Sequence, residues 1–270
     1  MITFEICKQS APGYGDLAWD IFFRQRARGI SLTRHFPWIS QAAPNIWYVL
    51  ARQDGDVVGG LTVLEGECAA GKYGIVGLVC VDSRMRGQKI ASRLLSSALS
   101  HAAERHLGAL TLWTGQPHIY EGQGFVVEDA SQYGWATRPA LATGNAMPIT
   151  PARHEWPGTG EHRGVPPFAS GAESIVSPDA SLIVLHDASG PILAEWHGTD
   201  EATQGLLHAS MPERFRINTR AEDRLPDVMR ATGWNVELSA SRLQMWLPLN
   251  TGTTPKQWDE ASRLRVLDRI

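Results

Sequence analysis

The chain has 270 residues, 43% of them hydrophobic and 20% charged, enough for one large or two small domains with proper cores. Its formal charge of −3 leaves no basic excess, which argues against nucleic acid and against an anionic membrane surface as partners. Three cysteines without paired spacing, Cys7, Cys68 and Cys80, point to a reducing cytoplasm and against a disulfide framework or a zinc site; the histidines show no ligand spacing, so no metal is expected.

Met1 to Ser10 reads as a first strand rather than a signal peptide, and no apolar run approaches the length of a membrane span. From Gly13 to Arg28, Leu17, Ile21 and Phe22 lie on one side of a helix and Arg24, Arg26 and Arg28 on the other, with Gly29 ending it. Ser31 to Ile39 is aromatic but carries Pro37, and reads as a loop or short helical turn. Ile46–Arg52 and Val57–Glu65 are β-rich runs around Gln53-Asp54-Gly55-Asp56, a hairpin signal, and Gly59-Gly60 marks a bulge or a close backbone approach. The apolar, β-branched run Ile75–Val81 reads as a buried strand and joins the earlier runs in one antiparallel sheet. Arg84 to Lys89 then form a basic turn around Gly87. The helix that follows carries Ile90, Leu94, Leu95, Ala98, Leu99, Ala102 and Leu107 in one stripe. Ala109–Thr114 is the next strand, and Phe125–Glu128 and Tyr133–Thr137 are expected to complete the sheet.

A strand feeding a tight turn into a helix N-terminus aims unpaired backbone N–H groups and the positive end of the helix dipole at one spot. Such a spot binds anions, above all phosphate. Gly87 lets backbone come close to a ligand, and Arg84, Arg86 and Lys89 add positive charge. The plainer alternative is a basic surface turn ahead of an ordinary amphipathic helix.

Between Pro139 and Ala172 proline, glycine and threonine dominate without periodicity, including Pro148, Pro151, Pro157, Pro166 and Pro167, so this stretch is expected to be a linker or wrapped loop. Beyond it, Leu182–Leu185 and Ile192–Trp196 flank a turn at Asp187–Gly190. Glu201–Ser210 reads as helix, Phe215–Asn218 as strand, Asp223–Ala231 as helix, and Val236–Leu238 and Leu243–Leu247 as strands. That order echoes the first half. No glycine-rich basic turn stands at the matching place, because His197-Gly198-Thr199-Asp200-Glu201 offers acid. Thr254-Pro255-Lys256-Gln257 opens a last helix with a capping box, and Trp258, Ala261, Leu264 and Leu267 lie on one side of it.

Two segments carry a family resemblance. Arg86-Gly87-Gln88-Lys89-Ile90-Ala91 and Tyr120-Glu121-Gly122-Gln123-Gly124-Phe125, with strand, helix and strand around them, resemble the GNAT superfamily of acyl-CoA N-acyltransferases. The first matches the family's pyrophosphate pattern Gln/Arg-x-x-Gly-x-Gly/Ala, except that Lys89 replaces its first glycine. The resemblance implies a mixed α+β fold, a mostly antiparallel twisted sheet flanked by helices with a V-shaped split at the acyl-CoA site. The echoed element order of the second half, with Met229-Arg230-Ala231-Thr232-Gly233-Trp234 echoing the Tyr120–Phe125 ending, points to a tandem arrangement. Residues 1–140 would be the catalytic domain, 141–172 the linker, 173–250 a degenerate second domain without a phosphate site, and 251–270 the C-terminal helix.

Carried over residue by residue, the resemblance assigns acetyl-CoA binding to Val79, Cys80, Val81, Arg86, Gly87, Gln88, Lys89, Ala91 and Ser92. It makes Tyr120 the acid that protonates the leaving thiolate, and Phe36 and Trp38 walls for the acceptor. Glu65, Glu67 and Asp82 are candidate bases, with water as the alternative. The implied function is transfer of an acetyl group from acetyl-CoA to a primary amine of a small molecule. A non-catalytic acyl-CoA-binding regulatory module is the alternative, and a homodimer is left open. A tandem aminoacyl transferase using charged tRNA is disfavoured by the phosphate turn and by the absence of basic excess.

Overall fold

The computed structural model describes residues 1–26, 29–40, 43–139, 150–158 and 161–270. It divides into two compact units, one of residues 1–129, 242–264 and 268–270, the other of residues 130–241 and 265–267. No helix among the described residues is long and apolar enough to cross a membrane.

The first unit begins with β1 (Ile2–Cys7), α1 (Pro12–Phe22) and α2 (Leu32–His35). It continues with β2 (Ile46–Gln53), β3 (Asp56–Cys68), β4 (Gly71–Val81), α3 (Ile90–Glu104), β5 (Ala109–Trp113), α4 (His118–Glu121) and β6 (Val126–Val127). The second unit holds β7 (Ser131–Thr137), β8 (Ala152–Glu155), β9 (Gly171–Val176), β10 (Ala180–Asp187), β11 (Gly190–Gly198), α5 (Asp200–Ser210), β12 (Arg214–Arg220), α6 (Leu225–Ala231) and β13 (Asn235–Ala240). The chain then returns to the first unit with β14 (Gln244–Pro248) and α7 (Pro255–Ser262).

Each unit is built on a seven-stranded sheet. The orders are β1-β2-β3-β4-β5-β14-β6 and, read from its far edge, β8-β9-β10-β11-β12-β7-β13. The two match strand for strand, and in each the central pair, β4 with β5 or β11 with β12, runs parallel while every other pair is antiparallel. The tandem α+β arrangement is therefore present, with one correction. Tyr133–Thr137 does not complete the first sheet; it lies inside the second, and the first sheet takes its strand from Gln244–Pro248.

Polar side chains fix that choice. The Asp129 carboxylate accepts from the backbone N–H groups of Leu243 (3.0 Å) and Gln244 (3.1 Å), which seats the start of β14. Gln244 is fully buried, and with its amide oriented so that both ends find partners it donates to Asp259 Oδ1 (3.1 Å) and accepts from the Trp246 indole (3.2 Å). Thr111 on β5 donates to the Met245 carbonyl at 2.9 Å. Buried polar groups must be paired, so a slip of one residue would orphan this whole set.

The strand β2 shows how the first core is layered. Trp47, Val49 and Ala51 face the cluster under α3, while Ile46, Tyr48 and Leu50 face the cluster under α1 and α2. A strand buried on both faces reads as a continuous apolar run, as this one does. Helix α1 is shorter than its sequence pattern: it starts at Pro12 and ends at Phe22, a 3₁₀ turn covers Arg24–Arg26, and Arg28 lies outside the described residues. The capping box of α7 forms as expected, and Trp258 is buried beside Tyr73 and Trp246 in the first unit. Of the expected linker, 141–149 and 159–160 lie outside the described residues, and the rest contributes β8 and the start of β9.

Candidate functional site

Strand β4 pairs with β5 only from Tyr73 to Ile75, so the two parallel strands part just where the apolar run continues toward Val81. Within that free part the strand is bulged. Gly77 and Cys80 sit opposite Thr62 and Gly60 of β3, leaving Leu78 and Val79 to face the single residue Leu61. Leu78 absorbs the mismatch with φ 50, a left-handed conformation rare for a leucine. A Cβ at position 77 would lie 2.5 Å from the Ile270 backbone, so any residue larger than glycine requires a shift there.

After Val81 the chain turns through Asp82–Gln88 into α3. Gly87 has φ 80, which glycine adopts freely, and the space beside it is open. Lys89 stands at φ 57 and ψ 24, so the position where the family pattern has glycine keeps a glycine-like backbone. The helix has no side-chain cap at its N-terminus. The N–H groups of Ile90, Ala91 and Ser92 therefore face outward with the helix dipole behind them, at a surface where Arg86, Gly87, Gln88 and Lys89 are all exposed. Arg84 does not add to the positive field as expected. Its guanidinium and backbone N–H both bind the Asp82 carboxylate, at 2.6–3.1 Å, and hold the Asp82 pKa down at about 2.

Tyr120 lies on α4, half-buried, its ring edge-on to Phe125 with 6.1 Å between centroids. Gly124 at φ 91 closes the turn that brings Phe125 back under it. Tyr120, Val79 and Val81 all pack on the α3 cluster, which brings the strand, the turn and the candidate acid to one core. Burial pushes the Tyr120 phenol up from its ordinary value of 10, so it is protonated at neutral pH. Burial also pushes the Cys80 thiol up to about 12, which leaves it no thiolate character.

The remaining candidates are occupied in other ways. Phe36 and Trp38 are buried, at 0% and 3% exposure, and pack on each other, with Phe36 also against Phe23, so neither presents an open face to an acceptor. Although burial pushes its pKa up, Glu65 is held below the carboxylate range by Arg105 at 2.7–2.8 Å and by the Trp47 indole at 2.9 Å. Glu67 is exposed near the far end of β3, and Asp82 is spent on Arg84. Sequence reasoning missed Tyr14 and Thr62. Both are fully buried, and they hydrogen-bond each other beside the bulge. The only local signal for them was Gly60, whose missing Cβ leaves room for the Tyr14 ring.

In the second unit the parallel pair and a bulge recur, with Ala194 as the extra residue of β11. The anion site does not. Thr199 caps α5 through the Ala202 N–H, and Asp200 and Glu201 occupy its first turn.

The acetyltransferase (GNAT) family matches residues 13–125. No curated protein matches the chain. Solved structures share the fold over nearly its whole length. One from Enterococcus faecalis, described as a probable N-acyltransferase, has a TM-score of 0.62 at 12% identity and covers 92% of this chain and 73% of its own. A GCN5-related N-acetyltransferase from Anabaena variabilis has a TM-score of 0.60 at 14% identity, with coverages of 92% and 73%. Eis1 from Mycobacterium abscessus has 0.59 at 14% identity, with coverages of 92% and 74%.

Proposed function

We propose that the protein is an acyl-CoA-dependent N-acyltransferase, a reading supported by the match of residues 13–125 to the acetyltransferase (GNAT) family. It moves an acetyl group from acetyl-CoA directly to the primary amine of a small molecule. The observation that carries this reading is the uncapped N-terminus of α3, set behind an open glycine turn at the end of a bulged strand that has parted from its parallel neighbour.

The backbone N–H groups of Ile90, Ala91 and Ser92, with Arg86 and Lys89, hold the pyrophosphate. The pantetheine arm lies in the split between β4 and β5, and backbone N–H at Val79–Val81 polarises the thioester carbonyl. The neutral amine attacks, the C–N bond forms and the C–S bond breaks. Tyr120 gives its proton to the departing sulfur and recovers one from solvent, while water takes the excess proton of the amine. With Glu65 and Asp82 both held by arginine, water is the better acceptor for that proton.

The test is release of free thiol when purified protein meets acetyl-CoA and a panel of primary amines. Release above the amine-free control supports catalysis. Tight acetyl-CoA binding without release with any amine points to the non-catalytic binding module instead, and neither binding nor release overturns both.

A further inference from the structure

The bulge in β4 changes which way the strand's side chains face. Val76 packs on the α3 cluster, and in an unbroken strand Leu78 would follow it there. Instead Leu78 packs with Cys80 on the α1 cluster, and Val79 takes the α3 face. A left-handed leucine persists only where its surroundings over-determine it. Here the surroundings are specific. The Tyr14 hydroxyl donates to the Leu78 carbonyl at 3.0 Å and lies 2.9 Å from Thr62 Oγ1, so the single proton arrangement has Thr62 donating to Tyr14 and Tyr14 donating to Leu78. Tyr14 and Thr62 have no exposed surface, and Leu78 is 6% exposed, so water cannot stand in for either bond. The Tyr14 ring fills the space over Gly60, where a Cβ would fall 2.7 Å from Cδ2 and Cε2.

A peptide unit is planar, and its carbonyl and N–H point in opposite directions. The carbonyl of Leu78 and the N–H of Val79 belong to one such unit. Holding the carbonyl against α1 therefore aims the N–H the other way. We propose that Tyr14, supported by Thr62, is a positioning residue for acyl transfer: it fixes the bulge and so orients the Val79 N–H toward the thioester carbonyl. This rests on the reading of β4 as the strand that lines the thioester. Burial, followed by the nearby Cys80, raises the Tyr14 pKa well above its ordinary value, so the donor is protonated throughout any practical assay range.

Tyr14→Phe keeps the ring over Gly60 and removes only the hydroxyl. Turnover should fall by about 10²-fold, the order expected for misplacing one group at a reacting centre. Acetyl-CoA affinity should hold, because the phosphate grip lies at α3. The infrared stretch of a ¹³C-labelled thioester carbonyl in bound acetyl-CoA should move back toward its value in free solution. Hydrogen exchange on the unliganded protein reads the bulge itself: the Val79 and Cys80 amides should exchange faster, with Leu94 and Leu95 of α3 unchanged. Should Tyr14→Phe fail to fold, Thr62→Val loosens the same hydroxyl from its other side and should give a smaller loss of the same kind, with Thr62→Ser restoring it. A wild type that turns over, beside a Tyr14→Phe protein with unchanged turnover and thioester stretch, overturns the proposal. So does a variant whose affinity, melting temperature and turnover all fall together, since that is a structural role only. A wild type that neither binds nor turns over acetyl-CoA overturns the reading of the site, and the positioning role falls with it.

Discussion

Replacing Lys89 by glycine separates backbone strain from charge in a single substitution. Lys89 stands at φ 57 and ψ 24 ahead of α3, and this conformation costs an L residue about 1–2 kcal/mol. Glycine relieves that strain, while its freer unfolded chain takes back about 0.5–1 kcal/mol. The fold should therefore gain between zero and about 1.5 kcal/mol. The charge works in the opposite direction for binding. A charge-assisted hydrogen bond to phosphate is worth about 1.5–3 kcal/mol, or roughly 10- to 150-fold in dissociation constant. Calorimetric titration with acetyl-CoA and a thermal melt should thus show weaker binding by a protein that melts no lower than wild type. Screening sets in within about 10 Å at 0.1 M salt, so added salt should weaken wild-type binding more than binding to the variant. Lys89→Ala keeps the strain and loses the charge; it should bind like the glycine variant and melt below it. Unchanged affinity in both variants would refute a contact between Lys89 and the pyrophosphate. Tighter binding by the glycine variant would show that the lysine obstructs the turn.

Tyr120→Phe should lower turnover by about 10²–10⁴-fold and leave acetyl-CoA affinity in place, and steady-state rates beside binding titrations check both; wild-type turnover would assign the hydroxyl to packing. Because burial raises that phenol above 10, the wild-type rate should show no alkaline fall from this group below that pH. Asp82, lowered from 3.8 to about 2 by the Arg84 side chain and then its backbone N–H, gives stability that is present above the ordinary carboxylate range and lost as the pH falls through about 2. Denaturant unfolding between pH 2 and pH 5 should therefore be flatter in Asp82→Asn than in wild type. Gly77→Ala drives a Cβ into the Ile270 backbone; overpacking of this kind costs about 1–3 kcal/mol, which a thermal melt will show unless the terminal segment yields.

Where the sequence was legible, local chemistry decided the structure. The turn at Arg86–Ala91, the segment Tyr120–Phe125, the hairpin around Gly55 and the capping box at Thr254 and Gln257 all carry their instructions within a few residues. Where it was not, the deciding partner lies far along the chain. Tyr133–Thr137 and Leu243–Leu247 are both plausible strands, and nothing within either states which sheet receives it. Asp129, Thr111 and Asp259 make that choice for β14. Arg84 reads as free charge until Asp82 is seen to hold it. Phe36 and Trp38 read alike whether they line a pocket or fill a core. Leu78 gives no warning of its left-handed backbone, because leucine is among the last residues expected there.

The crossing of β7 and β14 between sheets sets an order on how this protein is made. An N-terminal unit usually folds while the rest of its chain is still being synthesised. Here β5 lacks its neighbour until residue 248 has been translated, and Thr111 waits for Met245 across 134 positions. Until then the apolar stretch Ala109–Leu112 presents a bare row of N–H and C=O groups, the kind of edge that pairs with other chains. The second sheet waits as well, since β7 has neither neighbour until β12 and β13 are made, the last of them ending at Ala240. The first sheet is thus the later of the two to close, at Pro248 against Ala240, and a chain cut just after β7 would leave β5 and β6 without the strand that joins them.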